Sequence, residues 1–181
     1  MTRSFEDRPL DPAVVQRVLA AALRAPSAGF TQGVDLLVLE GPADTHRYWD
    51  AALPGDDRRS FPWPGLFSAP LLVVVLSSED AYRRRYHEPD KGAASLDVPW
   101  WHVDAAFTAL LLQLAAIDAG LGVLFFGTHG VPALRHMFAI PATFSPVGTV
   151  AIGHPGPDRP SSSAAARARR RAEEMVHRGI W

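Results

Sequence analysis

The pattern of hydrophobic and polar positions predicts helices that alternate with short buried strands. After Asp11-Pro12, a favourable helix start, apolar residues recur at helical spacing until Pro26, whose ring disfavours a helical residue before it. Residues 71–76 are uniformly apolar, which predicts a strand that is buried on both faces and needs helices above and below the sheet. The other predicted elements are strands at 34–40, 123–126 and 147–152 and helices at 44–53, 104–119 and 131–138.

The helix predicted at 104–119 is apolar almost all round, with Thr108, Gln113 and Asp118 as the main exceptions. Its predicted length of about 24 Å is too short to cross a membrane, so protein must cover every side of it. The sheet would cover one side. Either the rest of the same chain or a second subunit would cover the other, and a second subunit is the more economical solution in a domain of this size.

Residues 78–101 interrupt the pattern with charged residues, Pro, Gly and aromatics. The stretch is longer than most loops, which indicates either a lid or binding segment or an irregular surface excursion. The aromatic residues Tyr82, Tyr86, Trp100 and Trp101 are too apolar for a loop surrounded only by water. A second irregular stretch, a Pro/Ser/Gly linker at 155–163, precedes an Ala/Arg-rich segment at 164–178 that is predicted to be helical in part.

Composition indicates one globular domain with no bulk electrostatic preference. The 181 residues are 48% hydrophobic and 20% charged, and the net charge of -1 gives no reason to expect nucleic acid or an anionic membrane as a partner. There are no cysteines, which excludes disulfides and thiolate chemistry and favours an intracellular protein. Residues 1–8 are polar and lack the apolar core of a signal sequence, so we expect a cytoplasmic location.

Motifs for several reaction classes are missing. The sequence has no Walker-type glycine loop, no glycine fingerprint placed after a strand for a dinucleotide, and no nucleophile elbow. The seven histidines lack the spacing of a metal site, so no metal is predicted. An enzyme with this sequence would need a cofactor to carry its reaction.

Four segments, in the same order along the chain, resemble the nitroreductase family of FMN enzymes. They are Arg3-Ser4-Phe5 with Arg8-Pro9, the loop of residues 25–32, the region from Asp104 through Gly120-Leu121-Gly122 to Gly127, and the basic tail Arg169-Arg170-Arg171 with Val176-His177-Arg178-Gly179 and Trp181. The resemblance covers essentially the whole chain, and the tail is particularly similar to that of actinobacterial members.

The resemblance implies an α+β fold: a three-layer α-β-α sandwich with a mixed, largely antiparallel sheet, in an intertwined homodimer. Residues 1–154 would form the flavin-binding domain, and residues 155–181 would be a linker and basic C-terminal arm of the same domain. The alternation of strands and helices by itself also fits a parallel α/β sheet. We let the resemblance decide for the antiparallel one.

The resemblance also implies the chemistry. FMN would bind at the subunit boundary, NAD(P)H would reduce it, and a small electron acceptor such as a nitroaromatic or quinone would then be reduced in the same pocket by a ping-pong mechanism. No catalytic side chain is required, because the flavin carries the reaction. The alternative is a protein of the same fold that binds or sequesters flavin without efficient turnover.

The resemblance assigns three groups of residues to the flavin. Arg3, Arg169 and Arg171 would bind its phosphate, although a solvated helix face explains each tail arginine equally well. The loop Pro26–Gln32 and the main chain near Gly127 would contact the ring. The full set of predicted cofactor-binding residues is Arg3, Ser4, Pro26, Ser27, Ala28, Gln32, Phe126, Gly127, Thr128, Arg169 and Arg171. The predicted substrate pocket is Tyr86, Trp100, Trp101 and Phe125, with core packing favoured for the two phenylalanines.

Overall fold

The computed structural model describes residues 1–91, 97–158 and 167–181, and four strands in it form one sheet. The strands are β1 (Val34–Glu40), β2 (Leu71–Ser77), β3 (Gly122–Phe126) and β4 (Ser145–Gly153), in the spatial order β1-β2-β4-β3. Each of the three pairings is antiparallel. The prediction of a largely antiparallel sheet is therefore confirmed, and the parallel alternative is wrong.

Six helices accompany the sheet in the described part of the chain. They are α1 (Pro12–Ala22), α2 (Gly41–Ala52), α3 (Asp56–Arg59), α4 (Glu79–Tyr86), α5 (Trp100–Asp118) and α6 (Val131–Met137), with short 3-10 turns at Ala28–Phe30, Pro64–Ser68, Pro89–Lys91 and Ala172–Glu174. The predicted start of α1 is confirmed, because the Asp11 carboxylate accepts the Ala13 N–H at 2.8 Å and Pro12 occupies the first turn.

The sheet separates two apolar cores. All seven residues of β2 are buried, and alternate side chains point to opposite faces. Leu71, Val73 and Val75 pack with residues of α1 and α5, whereas Leu72 and Val74 pack with residues of α2 and α6. The predicted three-layer α-β-α sandwich and the burial of this strand on both faces are thus confirmed.

Helix α5 is longer than predicted, because it begins at Trp100 and spans 19 residues. An 18-residue window of it has a mean hydropathy of 1.3, so by length and composition alone it could cross a membrane, and the prediction that it is too short was wrong. The helix contacts all four strands and α1, and its own residues Ala105, Ala109 and Leu112 are buried in that contact. It is a core helix that its own chain covers on one side.

Two irregular regions differ from expectation. Residues 78–101 are largely helical where described, since they contain α4, the 3-10 turn at Pro89–Lys91 and the first two residues of α5, while residues 92–96 lie outside the described part. The helix predicted at 164–178 is not formed in its described portion, residues 167–178, where the regular structure is one 3-10 turn at Ala172–Glu174. Residues 159–166 lie outside the described part as well.

Candidate functional site

The N-terminal segment holds Arg3 against one edge of the sheet. The Thr2 N–H donates to the Val123 carbonyl of β3 at 2.8 Å. On the other side the segment passes close to Gly65, where an added Cβ would lie 2.8 Å from Ser4 Cβ and 3.0 Å from Ser4 Cα. Only glycine permits this approach. The backbone on both sides of Arg3 is therefore fixed.

Arg3 lines two adjoining cavities. One, of about 530 Å³, also includes Ser4 and Asp158, and the other, of about 170 Å³, also includes Phe126. Trp63 lines both cavities, and the Arg3 guanidinium carbon lies 5.5 Å from the centroid of its ring. The structure thus brings together three residues predicted to bind the cofactor, namely Arg3, Ser4 and Phe126. Trp63 and Asp158 were not identified from the sequence.

The charge at this site suits an anion. Within residues 1–91, 97–158 and 167–181, the Arg3 guanidinium forms no ion pair. A guanidinium group can bind a phosphate by paired hydrogen bonds. The neighbouring Asp158 carboxylate instead accepts the Arg3 backbone N–H at 2.8 Å. A flavin phosphate therefore fits the Arg3 side of the larger cavity, provided that it lies away from Asp158.

The end of β3 offers space for a planar ring. An added Cβ at Gly127 would have no atom within 4 Å, so the backbone there is open to a ligand. The next residue is fixed, since Thr128 Oγ1 lies 3.0 Å from Thr149 Oγ1, which in turn lies 2.9 Å from Tyr48 OH. Burial raises the pKa of Tyr48 to about 12, so this phenol remains a neutral hydrogen-bonding group at ordinary pH. The fixed Thr128 keeps the open Gly127 backbone in place.

The predicted loop Pro26–Gln32 is shaped by its own hydrogen bonds. Ser27 Oγ accepts the Gln32 N–H at 2.8 Å, and Thr31 Oγ1 donates to the Ala28 carbonyl at 2.6 Å. Phe30 and Gln32 have φ values of 54° and 53°, a conformation that residues with a side chain rarely adopt. The Ala28 N–H donates to Asp104, a buried acid that the sequence analysis had identified only as a helix start.

Three of the four predicted substrate-pocket residues lie beside the loop or at the start of α5, and the fourth, Phe125, lies in the core. Tyr86 supports the loop, because an added Cβ at Gly29 would lie 3.1 Å from its ring. Trp100 and Trp101 form the first turn of α5, and the Arg83 guanidinium carbon lies 5.8 Å from the Trp101 ring centroid. Phe125 does not join them, since it packs into the core on the α5 side of the sheet.

The basic tail does not reach Arg3 in the described structure. Arg169 and Arg171 are exposed, and Arg171 Nε lies 3.1 Å from the Glu174 carboxylate. The hydrogen bonds, ion pairs and ring contacts described for residues 167–181 all lie within that segment. One chain, as described, does not assemble the predicted cluster of three phosphate-binding arginines.

The two parts of the predicted flavin site lie far apart in one protomer. The loop Pro26–Gln32 precedes β1 and Gly127 follows β3, and these are the two outer strands of the sheet, about 14 Å apart. Along α5 the separation is larger. Asp104, near the start of α5, contacts the loop. Gly122, just beyond the end of α5, lies against Thr2, since an added Cβ there would be within 3.0 Å of that residue. Asp104 and Gly122 are roughly 25 Å apart along the helix.

Comparisons with known proteins agree on one family. A family model described as the nitroreductase family matches residues 1–56 and 56–154. A nitroreductase family protein of Clostridium difficile 630 has a TM-score of 0.73 at 20% identity, over 99% of this chain and 93% of that one. An FMN-dependent nitroreductase of Clostridium difficile R20291 has a TM-score of 0.70 at 19% identity, over 99% of this chain and 94% of that one. A nitroreductase family protein of Streptococcus pneumoniae TIGR4 has a TM-score of 0.71 at 18% identity, over 98% of this chain and 94% of that one.

Proposed function

Since this chain belongs to the nitroreductase family, we propose that it oxidises NAD(P)H and reduces nitroaromatic, quinone or related acceptors, with FMN relaying hydride and electrons in a ping-pong cycle. Family membership confirms the sequence-based recognition and the prediction of a flavin-dependent oxidoreductase. The acceptor, the order of the steps and the residues that hold the flavin are proposals. So is a cytoplasmic location, which the absence of cysteine favours.

One observation carries the proposal: Arg3 and the loop Pro26–Gln32, which are both predicted to bind the flavin, lie at opposite ends of α5. Arg3 and the open backbone of Gly127 lie along β3, whereas the loop Pro26–Gln32 lies beyond β1 and beside the start of α5. A second copy of the chain can supply the missing part. If two α5 helices pair about a two-fold axis perpendicular to them, they run antiparallel, and the start of one lies beside the end of the other.

The outer face of α5 supports this pairing. Phe107, Leu110, Leu114 and Ile117 follow one another at helical spacing on a single face, and between 42% and 54% of each residue is exposed. Contiguous exposed apolar surface of this kind marks an interaction site. We therefore propose a homodimer whose interface contains these four residues, here called the α5 stripe, with a flavin site at each end.

Within that site the protein's own groups bind and orient. The Arg3 guanidinium would pair with the phosphate, and Ser4 lies in the same cavity. The backbone N–H of Gly127, a position with open space beside its Cα, would donate to the ring, and the Gln32 amide from the partner's loop would address the ring edge. No side chain is assigned as a general acid or base.

The test begins with purified wild-type protein. We expect a dimer in light scattering, a flavin absorption spectrum after FMN is added, and NAD(P)H oxidation that depends on an added quinone. Arg3→Ala should weaken FMN binding by tenfold or more, because it removes a charge-assisted hydrogen bond worth about 1.5–3 kcal/mol. Arg17→Ala, which changes an exposed arginine of α1, is the matched control and should bind FMN as wild type does.

Two results would change the conclusion. A colourless monomer that ignores FMN would refute the proposed function. A yellow dimer without acceptor-dependent NAD(P)H oxidation would instead indicate the alternative, a protein that binds flavin without efficient turnover.

A further inference from the structure

We propose that Asp104 is a positioning residue that fixes the loop Pro26–Gln32 in the conformation that the flavin site requires. The inference rests on the proposed function, because the loop is assigned there to the partner's flavin. Asp104 itself would not touch the flavin. It acts through the loop backbone, a role that the sequence analysis does not assign to it.

Asp104 is a buried carboxylate that accepts two hydrogen bonds. Its residue is 2% exposed, and its Oδ2 atom accepts the Ala28 N–H at 2.7 Å and the Tyr82 hydroxyl at 2.7 Å. Among the residues that the structure describes, no Lys, Arg or His forms an ion pair with it. Burying an unpaired charge is costly, so these two donors must stabilise the carboxylate. The same bonds fix the groups that donate them.

Tyr82 connects the carboxylate to the far end of the loop. The residue is fully buried, and burial together with the Asp104 hydrogen bond raises the pKa of its phenol, which stays a donor. Its ring lies against Gly33, where an added Cβ would be 2.6 Å from Cε2. The Asp104–Tyr82 pair therefore holds the loop near both ends, at Ala28 by a hydrogen bond and at Gly33 by packing.

The segment between these two points needs such support. Phe30 and Gln32 both have positive φ, a strained conformation that persists only when the surrounding structure enforces it. Arg85 Nε donates to the Gly29 carbonyl at 2.9 Å, and the same guanidinium pairs with Asp90 at 2.6 Å. Two groups outside the loop thus anchor its backbone, Asp104 at Ala28 and Arg85 at Gly29, and Asp104 is the buried one of the two.

Strained backbone persists where surrounding contacts over-determine it, and functional sites are where it concentrates. A connection between α1 and β1 needs no left-handed residues in order to link them. The arrangement is explained if the loop must present its backbone and the Gln32 side chain in a fixed geometry to a ligand. Loss of the Asp104 anchor would then reduce ligand affinity even though the fold survives.

The experiment separates the conformation of the loop from binding of the ligand. Hydrogen exchange of amides in residues 26–32 is measured on the flavin-free full chain, and the FMN dissociation constant is measured by quenching of flavin fluorescence. In Asp104→Ala we expect exchange at Ala28 to accelerate tenfold or more and the FMN dissociation constant to rise tenfold or more. Asp104→Asn keeps an acceptor for the Ala28 N–H and should recover most of both losses.

Two further variants keep the test interpretable. Asp57→Ala removes an exposed acid from α3, which lies outside both α5 and the loop, and should change neither measurement. If Asp104→Ala fails to fold, Tyr82→Phe takes its place, because it removes the hydroxyl that donates to Asp104 while the ring still packs against Gly33. It should also accelerate exchange at Ala28 and weaken FMN binding, and no change in either measurement would refute the positioning role.

The outcomes are distinct. If wild type binds FMN, Asp104→Ala is folded and its FMN affinity is unchanged, the positioning role is refuted while the proposed function stands. The same conclusion follows if Asp104→Asn binds FMN as poorly as Asp104→Ala does. If wild type itself binds no FMN, the proposed function fails and the positioning role fails with it.

Discussion

Replacing Leu114 with glutamate should convert the protein into a folded monomer that has lost its affinity for flavin. Leu114 lies in the middle of the α5 stripe and is 51% exposed in a single chain. A polar side chain at this position therefore disturbs little within the protomer. In the proposed dimer the same side chain lies against the partner, and the two-fold axis introduces the change twice.

The magnitude follows from burial and charge. Full burial of a leucine contributes about 1.5–3 kcal/mol, so covering the exposed half of Leu114 contributes about 1 kcal/mol per copy. A glutamate that meets an apolar surface without a cation adds a desolvation penalty of several kcal/mol per copy. The sum over both copies is at least about 6 kcal/mol, which corresponds to roughly a 10⁴-fold weaker dimer.

Light scattering across a hundredfold range of protein concentration would measure the oligomeric state, and FMN titration would measure the site. Met137→Glu is the matched control, because Met137 is a 37% exposed apolar residue at the end of α6, in the opposite helical layer. We expect this variant to remain a dimer that binds FMN. If Leu114→Glu stays a dimer, the α5 stripe is not the interface, and if it becomes a monomer that still binds FMN, the site is complete within one chain.

Three further substitutions test separate parts of the structure. Gly65→Ala places a methyl group 2.8 Å from Ser4 Cβ and should displace Arg3, which weakens FMN binding several-fold in a fluorescence titration; an unchanged dissociation constant would show that Arg3 does not depend on this contact. Ala139→Gly relieves a residue with φ of 52° and should stabilise the protein by up to about 1 kcal/mol, seen as a Tm about 2–4 °C higher, whereas an equal or lower Tm would contradict the expected strain. The pKa of Tyr48 is raised from 10.0 to about 12, so between these pH values the unfolded chain loses the phenolic proton while the folded chain keeps it, and stability falls as pH rises. Tyr48→Phe should reduce that fall by up to about 1.4 kcal/mol per pH unit in denaturant unfolding, and identical slopes for the two proteins would refute the assignment.

The parts of the fold that depend on local signals could be predicted from the sequence. Asp11 and Pro12 identify the start of α1 because capping involves neighbours in the chain. The apolar run at 71–76 identifies β2 because a strand buried on both faces tolerates no polar position. The predicted bounds of β1, residues 34–40, agree with the structure.

Regions with weak or misleading local signals were predicted less well. Helix α4 has only two aromatic residues, Tyr82 and Tyr86, and their spacing of four was too short a pattern to identify a helix among charged neighbours. The Ala/Arg composition of the tail favours a helix. Where the structure describes it, however, the tail has no apolar face packed on the domain, and short isolated helices are marginal in water.

The candidate site depends on contacts that local patterns do not encode. The bond from Ala28 to Asp104 joins residues 76 positions apart, and Arg3 meets Asp158 across 155 positions. The resemblance to the nitroreductase family identified Arg3 and the loop by their order along the chain. It did not identify the acid that holds the loop, because the position of Asp104 at the start of an apolar helix is also typical of an ordinary cap.

Helix α5 shows which property of the sequence does carry information about assembly. Polarity does not distinguish its two faces, since both are apolar, and for that reason the pattern left open whether the same chain or a second one covers the outer face. Side-chain size does distinguish them. Ala105, Ala109 and Ala116 lie against the sheet, where small residues allow a close approach and Leu112 is the one large apolar side chain among the buried residues, whereas Phe107 and Leu114 point outward. A helix that needed only its own sheet would place its large side chains inward and polar ones outward. The reversed arrangement is explained if the outer face is an interior surface of the dimer, and the same pairing would bring the loop held by Asp104 to the Arg3 end of its partner.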